Sequence, residues 1–311
     1  PPDHTRLRSL VNQAFTQPMT ERLRPAIQAT ADCLLEAVQP TGEIDLIRHY
    51  ASPLPLMIIG ELLGVAERDR EQLRRWTIDM VVAIDYCSDR QAMARAARAS
   101  LQLTEYLRGV IAERRRCPLE ADLISALIAT EEEGDQLSEE ELLSMCVLLL
   151  GAGHETTVNL IGNGILALLN HPYEWARLKD DPACIESAVE ELLRYDTPVQ
   201  MTSREAAEDG EIGGRPLRKG DTVTMLLGSA NRDPAQFPEP DRLDLRREGG
   251  KHASFGSGIH FCLGSHLARL EGQIAFQTLA RQMPDLRLIP RPLERREGIS
   301  FRGVKSLPAS F

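Results

Sequence analysis

The sequence predicts a mainly α-helical fold with small β-sheets, and three observations carry that prediction. Apolar residues recur at helical spacing through most of residues 1–195. The helical period is lost between 198 and 250, where short strand-like runs alternate with Gly213-Gly214 and Lys219-Gly220 turns. A single cysteine, Cys262, then stands in a glycine-dense loop within 255–269, just before a last long helical pattern. Residues 1–311 are read as one domain, helix-rich to about 195 and β-rich with the cysteine loop from about 196 onward.

At 311 residues the chain is long enough to bury a large core. A hydrophobic share of 42% and a charged share of 26% place it among ordinary soluble globular proteins. The net charge of −10 excludes a general nucleic-acid surface. None of the six cysteines forms a Cys-x-x-Cys pair, which disfavours zinc and disulfide frameworks and favours reduced thiols in a cytoplasmic setting. No run reaches the ~18 apolar residues of a membrane span, and no signal peptide is visible. The chain opens Pro1-Pro2 with no methionine, which reads as a cut or processed boundary.

Residues 1–38 read as helix, with Leu7, Leu10, Val11, Ala14 and Phe15 on one stripe and a second helix running from Met19 or Thr20 to Val38. His4 and Arg8, four apart, share a face. Residues 53–65 form a short helix apolar nearly all round, hence buried. Residues 67–84 and 89–116 are amphipathic, with Trp76, Ile78, Met80, Val81 and Val82 in the first. Glu131 to Asp135 make a solvated acidic turn. The longest helix is 138–170, opened by a Ser138/Glu141 capping box. Gly151 and Gly153 weaken it by ~1 kcal/mol each against alanine, which suggests close approach of a ligand or backbone. The Thr156 hydroxyl can bond back to a carbonyl and open the helix. His154-Glu155 has the start of a zinc-protease motif, but Val158 stands where the second histidine belongs. A helix at 184–195 places Glu191 and Arg194 on one face, and strands are expected at 199–204, 211–212 and 222–227. The last helix covers 265–283, with Ser265 as its cap.

In the cysteine loop, Gly256, Gly258 and Gly264 give the backbone freedom to turn and to approach a flat ligand. A thiolate at a helix N-terminus is favoured by the dipole and by free N–H groups. Gly-Ser-Gly at 256–258 is not a hydrolase elbow, and Phe261 occupies the third glycine position of a dinucleotide loop. Phe255, Gly258, His260, Cys262 and Gly264 instead match Phe-x-x-Gly-x-His-x-Cys-x-Gly, and in this the chain resembles the cytochromes P450. Ala152-Gly153-His154-Glu155-Thr156 resembles the family's I helix, and Glu191-x-x-Arg194 its K helix. Pro1 to Arg8 resembles the C helix, while 67–84 and 89–116 resemble the F and G helices. Residues 230–242 resemble its meander.

The resemblance implies a P450 fold lacking the segment before the C helix, and a haem-thiolate monooxygenase carrying haem b (iron protoporphyrin IX). Cys262 would be the axial ligand of the iron. Phe255, Gly256, Gly264, Ala152, Gly153 and Ala268 would contact the haem. His4, Arg8, Arg204 and His260 would bind its propionates. Glu155 and Thr156 would be the catalytic pair, delivering protons, and Glu191 with Arg194 would be structural. The implied partners are dioxygen, a small organic substrate and a ferredoxin-type electron donor with its reductase, docked by basic residues such as Arg6, Arg22 or Lys251. No membrane or nucleic-acid partner is implied. A non-catalytic haem-binding protein and a peroxide-using or substrate-rearranging haem-thiolate enzyme stay open as alternatives.

Overall fold

Prolines divide what the sequence presents as one or two amino-terminal helices. The computed structural model describes residues 2–84, 89–119, 122–131, 137–296 and 298–311. Its first helices are α1 (Asp3–Ala14), α2 (Gln17–Arg22) and α3 (Arg24–Glu36). Pro18 and Pro25 each sit in a first turn, where a missing N–H costs nothing, and Thr16 caps α2 by accepting from Met19 N at 3.3 Å. Strand β1 (Glu43–Asp45) and a π-helical turn at Ile47–Ala51 lead into α4 (Pro53–Leu62), which is buried on almost every side as its composition requires. Next come α5 (Arg70–Ile84) and α6 (Arg90–Arg116), packed along one another, then α7 (Leu123–Glu131). Cys87 and most of the acidic turn expected at 131–135 lie outside the described residues.

Helix α8 (Glu139–Asn170) starts at the Ser138/Glu141 capping box and runs through the middle of the molecule, touching α4, α5, α6, α10 and α12. Its second half, from Thr157 to Leu168, is buried on all faces. Gly162 and Gly164 allow this. A Cβ at 162 would lie 2.5 Å from the Ile47 side chain, and one at 164 would lie 2.4 Å from Phe276. Helices α9 (Pro172–Asp180) and α10 (Ile185–Tyr195) follow.

The β-rich part has strands β2 (Met201–Glu205), β3 (Gly210–Ile212), β4 (Arg215–Leu217) and β5 (Thr222–Leu226). β2 pairs antiparallel with β5, with Arg204 opposite Val223, and β3–β4 is a hairpin whose Gly213 and Gly214 both have positive φ. A short α11 (Leu227–Ala230) precedes a long irregular stretch, and α12 (Ser265–Gln282) follows the cysteine loop. Strands β6 (Arg287–Leu288) and β7 (Pro308–Ser310) join β1 in the order β1-β7-β6, tying the chain's last residues to the segment after α3. Ser265 does not cap α12. It is the buried first residue of that helix, and Gly264 occupies the cap position without a side-chain bond.

A candidate active site between the long helix and the cysteine loop

Helices α1, α8 and α12 and the cysteine loop enclose a largely apolar cavity of about 500 Å³. Cys262 and Ala268 lie on one wall. Ala152, Gly153, Thr156 and Thr157 of α8 form another, and His4, Leu7, Arg8 and Val11 of α1 a third. At Gly153 a Cβ would meet the Ile59 side chain of α4 at 3.4 Å, so α4 packs closely against α8 there. Gly151 shows no such approach, with nothing within 4 Å of its would-be Cβ.

The cysteine loop is held by its own backbone. Gly256 N donates to Ala253 O, Phe261 N to Gly258 O, and Cys262 N to Phe255 O, at 2.8, 3.0 and 2.9 Å. Gly256 and Gly258 have φ of 67° and 68°, which side-chain-bearing residues rarely adopt, whereas Gly264 at −83° needs no such freedom. Cys262 is half-buried. Burial pushes its thiol up, opposed by the Gly264 N–H and by the Arg8 and Arg269 charges. A bound metal cation would displace the thiol proton to solvent and leave the sulfur as thiolate.

Arg8 Nη2 donates to Phe261 O at 2.7 Å, which pins α1 to the loop. The His4 and His260 rings stand 4.3 Å apart, and the buried Nδ1 of His4 has no partner. Residual desolvation and the nearby His4, Arg204 and Arg8 charges hold His260 below its usual range. Arg204 lines the open cleft on the far side of the loop, where it bonds back to Thr202 and Ser203 of its own strand. His4, Arg8 and His260 therefore meet at the rim of this cavity, while Arg204 stands on the other side of the loop, and N–H donors so placed suit an anionic group. An apolar cavity with a thiol on one wall and Arg8 and two imidazoles at its rim fits a haem with its propionates.

Thr156 donates its hydroxyl proton to Ala152 O at 2.8 Å, the backward bond that its position suggests. Glu155 lies elsewhere. It is not on the cavity wall but buried behind it, paired with Arg296 Nη1 at 2.7 Å. Burial raises its affinity for a proton, and Arg296 and Asn159 oppose this. His154 is a core group. Its Nε2 lies 3.1 Å from Ser52 O and its Nδ1 3.2 Å from Thr77 Oγ1, and burial lowers it to about 4.

Sequence reasoning missed two acids and bases near the site. Glu271 of α12 also borders the cavity, is fully buried, and is pushed up to about 8 by burial against a bond from Thr157. Arg296 comes from the segment between β6 and β7. Neither carries a local signature, because each is defined by a partner more than a hundred residues away.

Away from the cavity, Arg194 holds Glu191 through two bonds of 2.7 and 2.8 Å, with both side chains 2% exposed. Arg194 Nη1 also donates to Asn231 O and Pro240 O, while Glu191 accepts from Asp244 N and Arg247 Nε. Of the suggested docking cations, Arg6 is engaged by Glu141, and Arg22 and Lys251 are exposed.

The model of the cytochrome P450 family matches residues 70–181 and 183–283. A "Biotin biosynthesis cytochrome P450" of Bacillus subtilis (strain 168) is 45% identical over 310 residues, covering 100% of this chain and 78% of that protein. The vitamin D(3) 25-hydroxylase of Pseudonocardia autotrophica is 45% identical over 314 residues, 100% of this chain and 76% of that one. The solved structure of P450BioI, in complex with a hexadec-9Z-enoic acid ligated acyl carrier protein, superposes with a TM-score of 0.95 at 45% identity. That match covers 100% of this chain and 80% of that one. The chain belongs to the cytochrome P450 family, whose members bind haem b through a cysteine thiolate. It is an oxidoreductase of the haem-thiolate monooxygenase class, acting on small organic molecules with dioxygen. No described helix is long and apolar enough to cross a membrane.

Proposed function

We propose that this chain hydroxylates or epoxidises a long, mostly apolar organic molecule held between α1, α8 and the cysteine loop. The observation that carries this reading is the shared cavity, in which Cys262, Gly153 and Thr156 meet a wall of Leu7, Val11, Met145 and Leu149. Haem, when bound, supplies reductive activation of dioxygen, with electron density donated by a thiolate. Cys262 would ligate it, and His4, Arg8, Arg204 and His260 would bind its propionates. Phe255, Gly256, Gly264, Ala152, Gly153 and Ala268 give it apolar and backbone surface. Thr156 Oγ1 holds the proton nearest the cavity, and Glu155 is the reservoir one residue behind it. One oxygen atom enters the substrate and the other leaves as water, consuming two electrons and two protons.

The electron donor in this reading is ferredoxin-type with its own reductase, working in the cytoplasm. Exposed Arg22 and Lys251 support an acidic donor. An acyl chain, free or tethered to a carrier, is the first substrate class to try, because the relative P450BioI was solved with one. The test is a titration of the haem-loaded protein with hexadec-9Z-enoic acid, followed by product analysis with a ferredoxin and its reductase. A low-to-high-spin shift and a product heavier by one oxygen atom support the reading. Reduced donor consumed with only peroxide formed, across acyl and polyketide-like molecules, would overturn it.

A further inference from the structure

The segment 196–200 borders two separate hollows. Pro198 and Val199 line the catalytic cavity, while Asp196, Thr197 and Gln200 line a second cleft of about 470 Å³. That volume suits a small metabolite. The second cleft also takes Asn163 from α8, and Arg295 and Arg302 from the stretch between β6 and β7. None of its described lining residues belongs to the catalytic cavity or to the open cleft beside the cysteine loop.

The local charge is opposite to that of the molecule. The chain carries −10 overall, yet here Arg232, Arg295 and Arg302 act on one carboxylate, Asp196. Burial raises the proton affinity of Asp196, and the Arg302, Arg295 and Arg232 charges oppose it. The three arginines are differently employed. Arg232 is spent. Its Nε and Nη2 donate to Tyr195 O and its Nη1 to Asp241 Oδ1, and it stacks 4.2 Å from the Tyr195 ring centroid. Arg302 pairs with Asp196 Oδ1 through Nε at 2.9 Å, and neither of its Nη atoms bonds a described residue. Arg295 makes no ion pair among the described residues. Its segment is bridged to that of Arg302 through Arg295–Val304 and through Arg296 N to Gly303 O at 3.0 Å.

Asn163 adds a group of the other kind. It is 2% exposed, and its Nδ2 donates to Arg302 O at 2.9 Å and to Asp196 O at 3.4 Å. Those two bonds fix the amide, and its Oδ1 is left buried with no partner. An idle buried acceptor is costly until a donor reaches it. The cleft thus combines guanidinium donors for an oxyanion with one acceptor for an O–H. The Tyr195 ring is already taken by Arg232 and, edge-on at 5.5 Å, by His171, which favours a compact anion over a flat stacked ring. We propose that this cleft is a binding site for a phosphate group, free or as the monoester of a small hydroxylated metabolite. Arg295 and the Nη atoms of Arg302 hold its oxyanions, whose spacing matches a guanidinium fork. Asn163 Oδ1 accepts an O–H of the same molecule. Because the cleft is separate from the catalytic cavity, this ligand is not a reactant there.

The test uses the haem-loaded protein at constant ionic strength and about pH 6, where a phosphomonoester keeps its second proton about half the time. Calorimetric titrations compare inorganic phosphate, glycerol 3-phosphate and sulfate on the parent and on R295Q, R302Q and R98Q. Both phosphate probes should saturate one site per chain, and the tighter of the two identifies the source as free ion or monoester. Sulfate brings no O–H for Asn163 and should bind about tenfold or more weaker. R295Q and R302Q should each weaken phosphate by about tenfold or more. R98Q, at an exposed position of α6, should leave it at the parental value. If R302Q does not accumulate as folded protein, R295Q carries the comparison, since Arg295 has no ion pair to lose among the described residues. Binding that never saturates, or that falls in R98Q as much as in R295Q, would show only general attraction to arginines and overturn the site. Full affinity in R295Q would place the anion elsewhere and overturn it too. Sulfate held as tightly as phosphate would overturn the phosphate assignment and the part given to Asn163.

Discussion

Cys262 keeps its place through its peptide group, because its N–H is given to Phe255 O while the sulfur faces the cavity. Cys262→Ser should therefore fold normally, yet its reduced carbon-monoxide complex should lack the red-shifted Soret band of thiolate ligation; a variant that keeps the band would remove the sulfur from the iron. At Thr156, loss of the hydroxyl removes the backward bond to Ala152 O and a hydroxyl from the cavity wall. Thr156→Ala should retain haem while product formation falls by about 10²-fold or more and peroxide rises, measured per electron supplied. Glu271 sets a pH dependence of stability. Its folded value of about 8 lies above the ordinary 4.5, so between these values the folded chain keeps a proton that the unfolded chain releases. Stability should fall as pH rises through that window, by at most about 1.4 kcal/mol per unit, and denaturant titrations of Glu271→Gln should show a flatter profile. The cysteine loop was legible at this scale because its glycines answer a local backbone need. Glu271 and Arg296 were not, since nothing beside them in the chain says what they will face.

At the scale of elements, the glycines of α8 separate into two kinds. Gly164 meets Phe276 of α12 at a distance no Cβ tolerates, so Gly164→Ala should cost about 1–3 kcal/mol in a denaturation experiment. Gly151 has open space around it and helical backbone, so Gly151→Ala should be neutral or stabilise by about 0.5–1 kcal/mol. Sequence alone singled out 151 and 153 beside the His154-Glu155 pair and passed over 162 and 164. A glycine demanded by a helix crossing has no neighbouring residue that announces it. By contrast the start of α8 was readable to the residue, because a capping box is a purely local device.

For the whole molecule, the Glu191–Arg194 pair anchors the stretch from Asn231 to Arg247, which has almost no regular structure of its own. Glu191→Ala would leave a buried guanidinium facing carbonyls alone, at about 3–5 kcal/mol, and little haem-loaded protein should be recovered; normal haem content with ordinary thermal stability would refute the anchor. The helix-rich half and its order were readable from apolar spacing. The β1-β7-β6 sheet was not, because it pairs residues near 44 with residues near 309, and strands of two or three residues are too short to show a period. The crossing of α8 and α12 has one more consequence. Gly164 against Phe276 is a hard stop, with a would-be Cβ distance of 2.4 Å, and Gly272 of α12 meets Leu160 of α8 in ordinary contact at 3.4 Å. The two helices are like the jaws of a caliper set by that one stop. Thr156 rides on one jaw and Cys262 leads into the other, so the depth between them is preset and yields little to whatever is placed there. Molecules of different size must be accommodated sideways, toward Leu7, Val11 and Met145 on the cavity wall. Changes of selectivity should therefore arise from α1 and the first half of α8, and leave the distance from hydroxyl to sulfur untouched.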